Sequence, residues 1–217
     1  YEAMIRVVFG LGGAYLMHGA ADGSTIASLD LSDTNNEDNE DGMSGNLSSF
    51  AVDAAGNLYV SDYNNIYVLD AEGNVQFKLD GSQYNGSLCR LNAQQVGVMW
   101  YNYTDDVNAA DENGQYFVPI ELEKKDRGEK VKLPSNVWSI FPGDDAYDYY
   151  YAYNNNIYGY AAKTDTKEKL VDWLACDVDT NNMSGYAMLS DSRVAALMQD
   201  WSTDPTTYQL IVLHRVD

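Results

Sequence analysis

The chain has 217 residues, of which 45% are hydrophobic and 21% charged, with 18 Tyr, 4 Trp and 5 Phe. That is ample apolar material for a packed core and excludes wholesale disorder. A formal net charge of -20, from 13 Lys and Arg against 33 Asp and Glu, repels phosphate backbones and anionic headgroups, so nucleic acid is excluded as a partner. No apolar run reaches the roughly 18 residues that cross a bilayer, and no membrane insertion is expected.

The first unit, Tyr1 to Leu31, opens on an apolar strand, Ile5 to Phe9, followed by a Gly-rich turn and a second strand through Ala14-Tyr15. Tyr1 is not a Met and no signal-peptide pattern follows it, so the start reads as that of a trimmed or mature fragment. Ser32 to Gly45 is an acidic insertion without apolar strand material. The second unit, Leu47 to Asp80, shows the repeat most clearly. It runs Phe50-Ala-Val-Asp53, Leu58-Tyr-Val-Ser61, Ile66-Tyr-Val-Leu69 and Val75-Gln-Phe-Lys-Leu79, separated by three polar turns. Four strands and three turns make a meander, in which Phe50, Val52, Leu58, Val60, Ile66 and Val68 are expected to be buried and Asp70 and Gly73 to lie in turns.

The third unit, Ser87 to Pro134, is interrupted by a long excursion from Thr104 to Gly114. The fourth, Asn136 to Trp173, repeats the first: Phe141 falls on Phe9, and Ala146-Tyr147 on Ala14-Tyr15, without a gap. Tyr153-Asn-Asn-Asn-Ile-Tyr158 repeats Tyr63-Asn-Asn-Ile-Tyr67, and in both the Asn residues are expected to supply the left-handed backbone of a tight hairpin. The fifth unit, Met183 to Asp217, offers only three strands: Tyr186 to Ser190, Arg193 to Gln199 and Thr207 to Arg215. Its missing outer strand is expected from residues upstream of Tyr1, unless Arg215 and Asp217 blunt the edge by charge.

Units spaced by about 43 residues match the period of propeller blades. The expected fold is therefore all-β: a single β-propeller domain over 1–217, built of five four-stranded antiparallel blades with the last incomplete. In a sandwich, the rival all-β arrangement, consecutive hairpins need not resemble one another.

The candidates for chemistry are few. Cys89 and Cys176 fit no zinc spacing and read as two buried free thiols, with a disulfide as the alternative. His18 and His214 have no partner motif for catalysis. Asp177-Val-Asp179-Thr-Asn181-Asn182 copies half of an EF-hand loop, but Asn182 and Met188 stand where the loop needs Gly and Glu, so no metal is expected. The acidic and amide run Asp33 to Asp41 is weighed in the same way. Lys124, Lys125, Arg127 and Lys130 are interleaved with Glu123, Asp126 and Glu129 and form no basic patch.

What remains is aromatic. Tyr147, Tyr149, Tyr151 and Tyr153 fall on one face of a strand by the two-residue period, and Trp100-Tyr-Asn-Tyr103 offers a comparable set. Rigid rings with polar tips stack on sugars and bond polar ligands, or else fill the core between blades. The candidate ligand-binding residues are Trp100, Tyr101, Tyr103, Tyr147, Tyr149 and Tyr153. No catalytic residue and no cofactor are expected.

The segments Leu133-Pro-Ser-Asn-Val-Trp-Ser-Ile-Phe-Pro-Gly143 through Tyr147-Asp-Tyr-Tyr-Tyr151, Asn156-Ile-Tyr-Gly-Tyr160 and Glu168-Lys-Leu-Val-Asp-Trp-Leu-Ala-Cys-Asp-Val-Asp179 resemble the propeller-like region of gut Firmicutes surface lipoproteins. In those proteins the region precedes an extracellular solute-binding domain. The resemblance implies a non-catalytic, cell-surface-anchored recognition domain, accessory to the capture of a sugar or peptide. It implies a domain boundary near Asp217, with the solute-binding domain C-terminal in the parent protein. Two other classes stand beside it: a metal-dependent hydrolase of the propeller lactonase type, with Glu, Asn and Asp ligands around a central metal, and a spacer or adhesin module.

Overall fold

The structure, a computed structural model, describes residues 4–10, 13–19, 25–30, 47–62, 64–81, 84, 86–92, 94–106, 112–134, 137, 139–189 and 193–214, the first three stretches as backbone only. The expected acidic insertion at 32–45, the His18 side chain, and Arg215 and Asp217 lie outside the described residues.

The architecture is all-β, a succession of antiparallel meanders. β1 (Met4–Gly10), β2 (Gly13–Gly19) and β3 (Thr25–Asp30) form a three-stranded sheet in sequence order. β4 (Leu47–Val52), β5 (Leu58–Asp62), β6 (Asn65–Leu69) and β7 (Val75–Asp80) form a four-stranded one. In the next sheet β8 (Ser87–Arg90), β9 (Val96–Asn102) and β10 (Gly114–Glu121) are followed by two short pieces, β11 (Asp126–Arg127) and β12 (Val131–Lys132), both paired to β10. β13 (Ser139–Pro142), β14 (Tyr149–Tyr153), β15 (Asn156–Ala161) and β16 (Thr166–Asp172) make a second four-stranded meander. β17 (Met183–Met188), β18 (Val194–Asp200) and β19 (Thr207–Leu213) make a three-stranded one.

The expected five four-stranded blades are not supported. Among the described residues two sheets are simple four-stranded meanders, and in the sheet built on β9 and β10 the outer strand is broken in two. The physical break lies between β11 and β12, where the Gly128 N–H donates to Pro119 O (2.8 Å) and the Leu133 N–H to Gln115 O (2.8 Å). The chain thereby leaves and rejoins the edge of β10.

Contacts divide the chain into two compact units, one of residues 1–88, 98–100 and 118–129, the other of 89–97, 101–117 and 130–217. In the first unit, β5 and β6 are central and buried on both faces, so period-two alternation is lost there. One face carries Leu58, Val60, Tyr67 and Leu69 as a cluster covered by Leu47 and Val52. The other carries Tyr59 and Val68, which are directly opposed.

Phe50 departs from the expected burial and is 38% exposed. It sits on the edge strand β4 beside a register shift between Leu47 and Ser49, and Val52 on the same strand, also expected to be buried, is only half-buried. The cysteines also depart from expectation. Neither is in a disulfide, but Cys89 is half-buried and Cys176 exposed, the latter in the turn after β16 rather than in a strand.

The turns follow from their residues. Gly56 and Gly73 take φ of 89° and 91° at the same place in Asp53-Ala-Ala-Gly-Asn57 and Asp70-Ala-Glu-Gly-Asn74, where a side chain would be strained. Asp53 lies at the centre of its turn. Its Oδ1 accepts from the Ala55 and Asn57 amides (2.9 Å each), and its Oδ2 from Asn57 Nδ2 (2.7 Å) and the Tyr59 hydroxyl (3.3 Å). Asp62 accepts from the Asn64 and Asn65 amides and from the Tyr67 hydroxyl at 3.0, 2.7 and 3.2 Å. Left-handed Asn is confined to the second of the two matched hairpins, where Asn154 and Asn155 take φ of 46° and 59°. In the first, Asp62 does the equivalent work by hydrogen bonding.

In the second unit, β13–β16 packs on β17–β19. Tyr150, Ile157, Trp173, Val178, Val194 and Ala196 form the shared core, and Phe141, Tyr186, Met183 and Met188 pack against it. Phe141 meets Tyr186 at 5.8 Å between ring centroids, and Trp173 meets the same ring edge-on at 5.9 Å. Such aromatic pairs add about 0.5–1.5 kcal/mol beyond the area they bury.

Asp53→Ala is expected to cost about 2–3 kcal/mol, because it strands the Tyr59 hydroxyl and two turn amides in a buried setting. Asp70→Ala, in the same turn sequence but exposed, should barely move the urea midpoint. Equal effects from the two substitutions would show that the buried hydroxyl is not what the turn supports.

Candidate functional site

The β14–β15 hairpin organises the second unit because its two faces do different work. Tyr149, Tyr151, Tyr158, Tyr160 and Tyr153 form a continuous ladder on one face. Tyr151 stacks on Tyr158 at 5.3 Å and 15°, and Tyr149 lies 5.0 Å from Tyr160. The Tyr160 hydroxyl donates to Asp165 at 3.0 Å. Tyr149 and Tyr151 are buried, and burial is the main cause that raises both phenols above their ordinary value, Tyr151 to about 12.

Tyr147 is not on this face, contrary to the two-residue count. It precedes β14, tilts against Tyr150 at 5.5 Å and lies over Gly159, where any Cβ would come within 2.5 Å of its ring. Its hydroxyl donates to Glu168, and that of Tyr150 donates to Asp144. These groups line a cleft of about 320 Å³ together with Lys169, Cys176 and His214. Tyr147, Glu168, Tyr150 and Asp144 are thus engaged in pairs, and Lys169 pairs with Asp172 at 2.7 Å.

A smaller pocket of about 200 Å³ opens at the end of the hairpin. Tyr153, Asn155 and Asn156 come from the β14–β15 turn, Trp173 follows β16, and Ser184, Gly185 and Tyr186 come from β17. The left-handed Asn154-Asn155 pair turns the chain back sharply. The Trp173 N–H then donates to Asn155 O at 3.4 Å, which ties the pocket's two walls together. Asn156 Nδ2 donates to Asn154 O at 2.8 Å, while its Oδ1 is buried with no hydrogen-bond partner. Gly185 lines the pocket, and a Cβ built on it would meet nothing within 4 Å.

The six candidate aromatics do not share one site. Tyr147 lines the Glu168 cleft, Tyr153 lines the Asn156 pocket, and Tyr149 is buried in the ladder. Trp100 packs edge-on against Tyr84 at 4.8 Å. Tyr101 and Tyr103 are 56% and 69% exposed, and the Tyr103 hydroxyl donates to Asp105 at 2.6 Å. Asn155, Asn156, Trp173, Ser184, Gly185 and Tyr186 were not singled out by the sequence. Asn154 to Asn156 signal only a turn, and nothing in the local pattern joins them to residues thirty positions on.

The half EF-hand segment is used structurally. Asp179 caps the 3-10 turn Thr180–Asn182, accepting from the Asn181 amide at 3.0 Å and from both Asn side-chain amides at 2.9 Å. Among the described residues no group of three His, Cys, Asp or Glu is placed to hold a metal ion.

No protein family matches the sequence, and no curated protein does. Among solved structures, the extracellular domain of a B. thetaiotaomicron protein assigned to the hybrid two component systems is 15% identical with a TM-score of 0.47, over 97% of this chain and 26% of that one. BamB from Moraxella catarrhalis is 14% identical with a TM-score of 0.40, over 89% and 54%. A protein of unknown function from Bacteroides caccae is 10% identical with a TM-score of 0.45, over 93% and 74%. This chain spans about a quarter of the first and about half of the second. At these identities and scores no activity, ligand or location is carried across.

The tyrosine ladder predicts an alkaline limit to stability. An unfolded chain ionises its phenols near 10.0, whereas folded Tyr151 holds its proton to about 12. Stability is therefore full below the unfolded value and is lost as pH rises through the folded one. Tyrosinate absorbance should rise in two steps, the later one coinciding with loss of β-sheet circular dichroism. A single step near the ordinary phenol value, with the fold intact, would contradict the ladder's burial.

Proposed function

We propose that this chain is a non-catalytic recognition domain that holds a small, neutral, polar ligand in the Asn156 pocket. The buried Asn156 Oδ1 carries this reading. An acceptor without a partner costs about 1–3 kcal/mol; Asn156 lines the pocket, and a small shift of its side chain brings this covered oxygen to a ligand hydroxyl or amide N–H. The half-buried Tyr153 and Tyr186 supply apolar ring surface beside it, and Ser184 and Asn155 further polar groups. At about 200 Å³ the pocket is smaller than the roughly 300–1,000 Å³ that drug-sized ligands occupy. It suits one sugar ring or one side chain of a peptide. The overall charge of -20 favours neutral or cationic ligands over anionic ones. With the resemblance to lipoprotein propeller regions, this supports an extracellular domain that works beside a solute-binding domain in sugar or peptide capture.

The test is an NMR titration of the chain with glucose, galactose, N-acetylglucosamine and acetylated amino-acid amides. At least one should shift the resonances of Tyr153, Asn156, Gly185 and Tyr186 together. Gly185→Val, which enters open space, should weaken that ligand about tenfold and leave the unfolding midpoint unchanged. If no probe moves these residues, or the valine variant binds as well as the parent, the pocket is not the site.

A further inference from the structure

The last sheet ends on β19. Among the described residues β19 pairs only with β18, while the two four-stranded meanders continue to a fourth strand. Those outer strands are charged: β7 reads VQFKLD and β16 TKEKLVD, as edges that resist further pairing do. β19 reads TYQLIVL, with no charge and no proline. It has the composition of an interior strand.

Both faces beside this edge are prepared. On one, Leu197 and Leu210 are directly opposed across β18 and β19 and are 40% and 65% exposed, and Tyr208 is 61% exposed. On the other, a cleft of about 370 Å³ brings Gln209 and Ile211 of β19 together with Asp177, Asp179 and Asp200, with Tyr208 also in its lining, and among the described residues no Lys or Arg lines it. Bonds from Ser202 hold the Asp200 carboxyl below its ordinary range, so it is charged at neutral pH.

We infer that β19 accepts a fourth strand from a separate polypeptide, an extended segment in which apolar and basic side chains alternate. Side chains of a strand laid on β19 alternate between its two faces. Apolar ones would meet Tyr208 and Leu210, and the lysines or arginines between them would enter the cleft of Asp177, Asp179 and Asp200. A second copy of this chain is the poorer occupant, because it adds another set of carboxylates to an already acidic edge, and β19 carries no basic residue to meet them. Backbone pairing supplies the affinity and the two faces select the partner's pattern.

The probe is a fluorescein-labelled peptide, Val-Lys-Val-Lys-Val-Lys-Val, added to the native chain. It should bind and slow hydrogen exchange at the β19 amides. Replacing its lysines with glutamates, or Leu210→Lys in the protein, should weaken binding at least about tenfold. The variant should keep the parent's melting temperature, since Leu210 is exposed; Asp200→Asn should weaken binding without touching β19 itself. A version with proline at the central valine keeps every charge and breaks the pairing, so it should not bind. If it binds as tightly as the parent peptide, if β19 amides exchange unchanged, if sedimentation finds the edge covered by a second copy, or if a longer chain with native residues before Tyr1 already protects the β19 amides, the inference falls.

Discussion

The bond between a turn carboxylate and a tyrosine hydroxyl is the interaction on which the rest of this structure depends. In Asp53–Tyr59, Asp62–Tyr67 and Asp144–Tyr150, one aspartate caps turn amides and receives the hydroxyl of a ring five or six residues on. A large ring can then be buried without leaving its polar tip unsatisfied. The tight turn and the buried ring are thus made by the same residue. This joins two features of the composition, the surplus of carboxylates and the 18 tyrosines, in a single physical device.

Once its rings are satisfied in this way, a strand can bury both faces. β5 and β14 do so, and a two-faced strand needs a neighbour on each side. In the second unit the result is a hairpin with divided labour. Tyr150 and Ile157 join the core shared with β17–β19, while Tyr149, Tyr151 and Tyr158 stack among themselves on the opposite face. At the hairpin tip lies a pocket where Gly185 contributes no side chain and the Asn156 Oδ1 is buried without a partner.

Much of this was legible along the chain. The meander from Phe50 to Leu79 lies in β4 to β7, and its Asp-x-x-Gly-Asn turns have the left-handed glycines their sequence demands. The three strands of the last sheet were also visible in the spacing of their turns. Phe50 and Tyr147 were misjudged for a shared reason. The two-residue period assumes a regular strand, and one residue lies beside a register shift while the other precedes its strand. The pocket was not legible, because Tyr153 and Asn156 meet Trp173, Ser184 and Tyr186 only where one sheet packs on another.

The sequence by itself determined the class of the protein, its antiparallel hairpins and the acidic character of its surface, because turns and alternation are local and charge is additive. Tertiary structure alone decided which tyrosines are buried, that the split half EF-hand caps a turn, and which polar atom is left without a partner. Those outcomes depend on what lies across an interface, and no pattern within one strand records the face of the next sheet.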